Sequence, residues 1–180
     1  MPTVLSLNSL PAVLLASSRT DGNTRALAEM AFPSGGADYV DLNAMNTGFY
    51  DYENRNADDD FLPLIERIIT REIWVLATPL YWYTMSAQAK TFIDRLSDLL
   101  TPKNTDGYRL KGKRFAVVCS GTDRAPPKSF DEPFALTCAY LGMNYCGSFY
   151  AQFDGRKLVD ADVSKAAAEF GASVVKARNM

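Results

Sequence analysis

Nine residues, Ala16-Ser17-Ser18-Arg19-Thr20-Asp21-Gly22-Asn23-Thr24, concentrate hydrogen-bond donors in a pattern that suits an anion. Ser17, Asn23 and Thr24 can donate from their side chains, and Arg19 adds a guanidinium fork that matches phosphate geometry. Gly22 stands where the backbone must turn. The stretch follows an apolar run, Ala12 to Leu15, and precedes a helical pattern that opens at Thr24 or Arg25. A strand that ends in such a loop and feeds a helix offers peptide N–H groups and the positive end of the helix dipole to a negative group. The alternative is a Ser-rich turn with an ordinary helix cap. Neither Gly-Lys-Ser/Thr nor G-x-G-x-x-G occurs here, so the loop is not of the Walker or dinucleotide type.

Two later loops also carry chemistry. Tyr81, Trp82 and Tyr83 follow a buried strand in direct succession. Adjacent side chains in an extended loop cannot all point inward, so some of this aromatic surface is exposed, in a pocket that takes a flat ligand or in an interface. Ser120-Gly121-Thr122-Asp123 ends another strand and offers backbone N–H and C=O groups at a tight turn.

The absences are as informative. The chain has no histidine, which removes Ser-His and Cys-His nucleophiles and His-ligated metals. Cys119, Cys138 and Cys146 form no C-x-x-C pair and read as reduced thiols, with Cys119 a small buried hydrophobe. No metal site is expected. Asp21, Asp94 and the run Asp58-Asp59-Asp60 are not paired at catalytic spacing and read as surface or cap residues.

The elements that must position these loops follow from apolar patterning. Strands are expected at residues 12–17, 38–42, 73–77, 115–119 and 144–150, most of them continuous apolar runs of the kind buried on both faces. Helices are expected at about 24–32, then on the Leu62, Ile65, Ile68, Ile69 spacing, at about 86–100 (the longest), at about 130–141 and at 160–177. In the 86–100 helix Ala89, Phe92, Ile93, Leu96, Leu99 and Leu100 make the apolar stripe, while Lys90, Asp94, Arg95 and Asp98 face elsewhere. Residues 43–60 read as a solvated loop with an acidic helix start, the alternative being a functional lid, and residues 1–10 as a loose extension of one domain spanning 1–180. This alternation predicts an α/β fold with a parallel sheet covered by helices on both faces. Ligands of such sheets lie beyond the carboxyl ends of the strands, where all three loops would fall.

Composition narrows the class. The 180 residues, 47% hydrophobic and 22% charged, suit one globular domain. A net charge of −2 gives no support to a nucleic-acid partner. No apolar run approaches the ~20 residues of a membrane span. The first eighteen residues carry no charge, but there is no basic n-region and Pro11 interrupts the apolar run, so the expectation is a cytoplasmic protein and not a secreted one.

Residues 17–24 resemble the G-S-x-R-x-x-G-N-T phosphate loop of the NAD(P)H-dependent FMN reductases. Residues 79–95, Pro79-Leu80-Tyr81-Trp82-Tyr83-Thr84-Met85-Ser86-Ala87-Gln88-Ala89-Lys90-Thr91-Phe92-Ile93-Asp94-Arg95, resemble that family's P-x-Y…M-S-A-x-x-K-x-F-x-D-R segment. Ala16 departs from the usual Gly and Ser18 from a frequent Pro, and neither change removes a donor. The resemblance implies a flavodoxin-like three-layer sandwich, with a five-stranded parallel sheet in the order 2-1-3-4-5. It implies non-covalent FMN, with NADH or NADPH as co-substrate and no iron–sulfur cluster. Ser17, Arg19, Asn23 and Thr24 would hold the FMN phosphate. Pro79, Leu80, Tyr81 and Trp82 would line the isoalloxazine ring with backbone amides facing its N5 and O4 edge, and Ser120, Gly121 and Thr122 would meet its pyrimidine side. Hydride would pass from the nicotinamide to FMN and on to a quinone, free flavin or similar small acceptor. The competing expectation is a flavodoxin-type electron carrier that does not use NAD(P)H. A homodimer or dimer of dimers is expected, from the family and from the apolar surface of the aromatic loop and third helix.

Overall fold

A computed structural model describes residues 10–101 and 106–177. The expected extension at residues 1–10 lies, but for Leu10, outside the described residues. Six strands form one sheet in the order β2-β1-β3-β4-β5-β6. β1 (Ala12–Leu15), β2 (Asp38–Asp41), β3 (Ile73–Pro79), β4 (Arg114–Gly121) and β5 (Asn144–Asp154) are parallel neighbours, and β6 (Lys157–Leu158) turns back antiparallel to β5. The expected order 2-1-3-4-5 is therefore present, with a sixth strand of two residues at its edge. Such a pair is too short to display a period in sequence.

Strand alternation divides the core into two layers. Ala12, Leu14, Trp74, Leu76, Phe115, Val117 and Cys119 face one side. There they meet α2 (Phe61–Ile68), α3 (Ala87–Arg95) and α4 (Glu132–Leu141), through residues such as Leu64, Phe92 and Phe134. Val13, Leu15, Ile73, Val75, Ala77, Ala116 and Val118 face the other side, against α1 (Asn23–Ala31) and α5 (Val163–Lys176). Trp74 is fully buried, and its indole N–H is satisfied by the Ile68 carbonyl at 3.0 Å. Along α5, Val163, Ala167, Gly171 and Val174 make the buried stripe. Gly171 is obligatory there, because a Cβ would come within 1.8 Å of the Ala31 carbonyl oxygen on α1.

The third helix is shorter than its apolar pattern suggests. α3 ends at Arg95 and continues as a 3-10 turn, Leu96–Leu100, so the longest helix is α5 with 14 residues. The tightening coincides with an i,i+3 ion pair in which Arg95 Nε donates to Asp98 Oδ2 at 2.6 Å. Arg95 is itself a correction. Its helical position suggested an outward-facing charge, yet only 1% of the residue is exposed.

Arg95 is buried because the segment after β2 supplies its partners. Its Nη2 donates to Asp59 Oδ1 at 3.1 Å, its Nη1 to the Gly48 carbonyl at 2.9 Å, and its guanidinium lies 4.7 Å from the Phe61 ring centroid. Asp59 also accepts N–H bonds from Gly48 at 2.8 Å and Phe61 at 2.9 Å. Burial pushes the Asp59 carboxyl up, but these hydrogen bonds together hold it below the usual carboxylate range. Asp59 is thus an interior ion-pair partner and not a surface acid. Residues 43–60 form a loop as expected, fastened to α3 by this pair.

Candidate functional site

Strand adjacency brings the three loops together. Leu15 at the end of β1 pairs with Ala77 on β3, and Pro79 at the end of β3 pairs with Ser120 on β4. Segments 16–24, 80–84 and 121–124 therefore leave the same sheet edge side by side. Side chains then stitch them. Thr24 Oγ1 and Ser120 Oγ are 2.8 Å apart and buried, joining the first loop to the third. Ser18 Oγ lies 3.4 Å from Tyr81 Oη, joining the first to the second. The Leu80 N–H donates to the Ser120 carbonyl at 2.7 Å, joining the second to the third.

Ser86 fixes the junction from below. Its hydroxyl donates to the Ala16 carbonyl at 2.7 Å and caps α3 by accepting the Ala89 N–H at 3.2 Å. The Ser86 N–H in turn donates to Thr78 Oγ1 at 3.0 Å. Sequence reasoning counted Ser86 only as a helix start; its N-cap preference before the Ala89 stripe was the available signal.

The first loop offers an open helix N-terminus. No side chain caps α1 at Gly22, and no acidic residue occupies its first turn. Ser17 is buried with its Oγ accepting the Arg19 N–H at 3.3 Å, and Thr24 is the second helical residue. Arg19 is exposed and packs its stem over Gly22, and its guanidinium has no protein partner among the described residues. This donor set, uncapped helical N–H groups with two hydroxyls and a free guanidinium, fits a phosphate. Asn23 is turned elsewhere: its Nδ2 donates to the Gly155 carbonyl at 2.7 Å, across to the β5–β6 turn.

The second loop is a tight turn under strain. The Tyr81 N–H donates to the Thr84 carbonyl at 2.9 Å and the Thr84 N–H back to the Tyr81 carbonyl at 3.1 Å. Between them Trp82 and Tyr83 have φ of 48° and 68°, left-handed values that favour Gly or Asn. Trp82 is 91% exposed and Tyr83 66%. Of the four residues expected to present backbone amides, Pro79 has none. Leu80 and Tyr81 have theirs engaged within the protein, which leaves the Trp82 N–H.

The third loop is braced by β5. Tyr150 Oη donates to the Asp123 carbonyl at 2.6 Å, and Gln152 Nε2 to the Thr122 carbonyl at 2.8 Å. Burial pushes the Tyr150 phenol up to about 12, so it remains a neutral donor. A Cβ on Gly121 would fall 2.6 Å from Tyr150 Oη and 3.2 Å from Leu80 Cβ, so a side chain there would displace the Tyr150 hydroxyl from its brace. Tyr150 lay inside the expected strand, with nothing local to mark it as a brace; Gln152 was missed because strand five was expected to stop at 150, and the same alternation continued two residues further would have found it.

Beside this edge, loop 43–49 closes a cavity of about 260 Å³ against α2 and the first turns of α3. Met45, Thr47 and Phe49 line it from the loop, with Gln88 and Phe92 opposite. Among the described residues no group of His, Cys, Asp and Glu is arranged to hold a metal ion, and no helix is long and apolar enough to cross a membrane. Cys119 is fully buried and its thiol is pushed far up by that burial, so it is a core residue and not a nucleophile.

A parallel sheet in this order, with a phosphate-type loop after β1 and ligand loops after β3 and β4, defines a flavodoxin-like protein. Residues 12–156 match the NADPH-dependent FMN reductase family, and the chain belongs to that family. FMN is accordingly its cofactor and NAD(P)H its co-substrate. A Bacillus subtilis (strain 168) relative, YwqN, provisionally named an NAD(P)H-dependent FMN-containing oxidoreductase, is 30% identical over 151 residues, 76% of this chain and 81% of the relative. Among solved structures, Trp repressor binding protein from B. subtilis superposes with a TM-score of 0.73 at 27% identity, over 89% of this chain and 96% of that one. General stress protein 14 of Treponema denticola, solved in complex with FMN, shares the fold at a TM-score of 0.59 and 16% identity, over 92% of this chain and 95% of its own.

Proposed function

We propose that this chain passes hydride from NADH or NADPH, through non-covalently held FMN, to a small acceptor such as a quinone or a free flavin. The observation that carries the reading is the stitching of the three loops at one sheet edge through Thr24–Ser120 and Ser18–Tyr81. When bound, FMN supplies the redox chemistry, and the protein supplies binding, orientation and electrostatics. Ser17, Thr24, Arg19 and the α1 N-terminus hold the phosphate and neutralise its charge. Pro79, Leu80, Tyr81 and Trp82 line the ring, with the Trp82 N–H as its backbone donor. Ser120, Gly121 and Thr122 border the opposite edge of the ring. The exposed faces of Trp82 and Tyr83 offer a stacking surface for a flat nicotinamide or acceptor. Two copies associate through apolar surface, and the protein works in the cytoplasm, away from membranes and nucleic acids.

The test has two parts. Stopped-flow mixing with NADH and with NADPH is expected to bleach the bound flavin, and a quinone or free flavin to restore its colour. An unchanged spectrum with both nucleotides overturns the reductase reading in favour of an electron carrier. Replacing Arg19 with Ala is expected to weaken FMN binding about tenfold, consistent with one charge-assisted contact. Riboflavin, which lacks the phosphate, should bind the variant as it binds the parent.

A further inference from the structure

The turn between β5 and β6 carries a second positive charge to the first loop. Asp154 pairs with Lys157, so Gly155 and Arg156 are its two turn residues, and Gly155 has φ of 57°. Glycine adopts that conformation freely, which lets the chain reverse within two residues. The turn is docked on α1 by the 2.7 Å bond from Asn23 Nδ2 to the Gly155 carbonyl. The next residue, Arg156, reaches the same loop: its Nη2 is 3.9 Å from Asp21 Oδ2. Both side chains are largely in solvent, at 70% and 83% exposure. An exposed pair at that separation holds its partners weakly, so the guanidinium is available to a stronger anion beside it.

We propose that Arg156 is a second phosphate-binding guanidinium of the FMN site, with Asp21 as the carboxylate that competes for it. The inference rests on the reading of residues 17–24 as the phosphate loop. A phosphate monoester carries close to two negative charges at neutral pH and three acceptor oxygens, against a single charge on Asp21. Arg19 belongs to the loop that enters α1, and Arg156 to the turn that Asn23, the first residue of α1, holds, so the two segments that carry these charges meet at the α1 N-terminus. Asn23 takes a different part from the one its motif suggests. Its amide holds the turn, and the turn holds Arg156, which makes Asn23 a positioning residue for the phosphate.

FMN and riboflavin share the ring and differ in the phosphate, so their affinity ratio isolates this contact. The full chain, dialysed free of flavin, is titrated with each while flavin fluorescence is followed, and thermal melts confirm that each variant is folded. R156Q is expected to weaken FMN about fivefold and leave riboflavin unchanged, as suits an exposed charge pair. D21N is expected to tighten FMN in the parent and much less in R156Q. N23A is expected to lower the ratio as R156Q does, with no further loss when the two are combined. If R19Q lowers the FMN-to-riboflavin ratio and R156Q does not, Arg156 has no part in the site and the phosphate loop stands. If neither variant moves the ratio, the loop reading fails and the Arg156 assignment fails with it.

Discussion

Trp82 and Tyr83 occupy backbone conformations that a chain optimised for stability would assign to Asn and Gly. Each left-handed bulky residue costs about 1 kcal/mol or more, and such strain persists where the surroundings hold it for a purpose. Here the result is two aromatic faces lifted into solvent at the sheet edge where the three loops meet. Replacing the pair by Asn-Gly should therefore raise stability by about 1–2 kcal/mol in denaturant melts. The same variant should slow the bleaching of bound flavin by NAD(P)H in stopped-flow, since the stacking surface is gone. A gain in stability with unchanged reduction would assign the turn to structure alone. Residue types had already marked this turn, because three successive aromatics cannot all be buried. Its hand was not legible, because nothing local distinguishes a strained turn of bulky residues from an ordinary loop.

The loop after β2 and the helix α3 are joined by a buried charge pair, and its energetics belong to both. Asp59 sits below its ordinary carboxyl range despite burial, so it binds a proton less readily in the folded chain than in the unfolded one. Its contribution is present above the unfolded value, near pH 4, and is lost as pH falls through the lower folded value. Asp59→Asn should lower stability by about 3 kcal/mol at neutral pH, because Arg95 keeps Asp98 but loses its principal partner. The difference from the parent should shrink as the pH is taken below about 4 when unfolding is followed by circular dichroism; a gap independent of pH would separate the effect from the carboxylate. Elements such as β3 were readable because burial on both faces leaves one continuous apolar run, Ile73 to Ala77. The Asp59–Arg95 pair was not. Arg95 stands off the apolar stripe of its own helix, and its partner lies 36 residues away in a segment without periodicity. The three site loops were legible because parallel topology alone delivers their strand ends to one edge. The bracing by Gln152 and Gly155 was not, because both lie beyond residue 150, where the strand was expected to stop.

At the scale of the whole molecule, the α3–α4 side carries apolar surface that the fold leaves uncovered. Leu136 is 64% exposed, Tyr140 80% and Leu100 44%, around a groove that also includes Ile93. A second copy of the chain would remove this surface from water, in line with the homodimer proposed for the protein. Sedimentation velocity at micromolar concentration should give twice the chain mass of 19.9 kDa. Leu136→Glu combined with Tyr140→Glu should shift it to the monomer without lowering the melting temperature of the isolated fold. A dimer that survives both charges would locate the contact elsewhere, at the aromatic turn.

The Arg95–Asp59 fastening has a consequence for how such a protein diversifies. Segment 46–58 reaches α3 through two of its backbone carbonyls, those of Gly48 and Asn56, and through the carboxylate that follows it at Asp59. A carbonyl comes with any residue, but a Cβ on Gly48 would fall 2.6 Å from the Asn56 side chain, whose Nδ2 donates to the Phe49 carbonyl at 2.6 Å, so Gly48, Asn56 and Asp59 are the fixed points of the segment. Thr47 and Phe49 line the cavity and lend no side chain to this fastening. The loop thus divides into positions that anchor and positions that only line the cavity, and the wall of the cavity can be rewritten while its anchors stay in place.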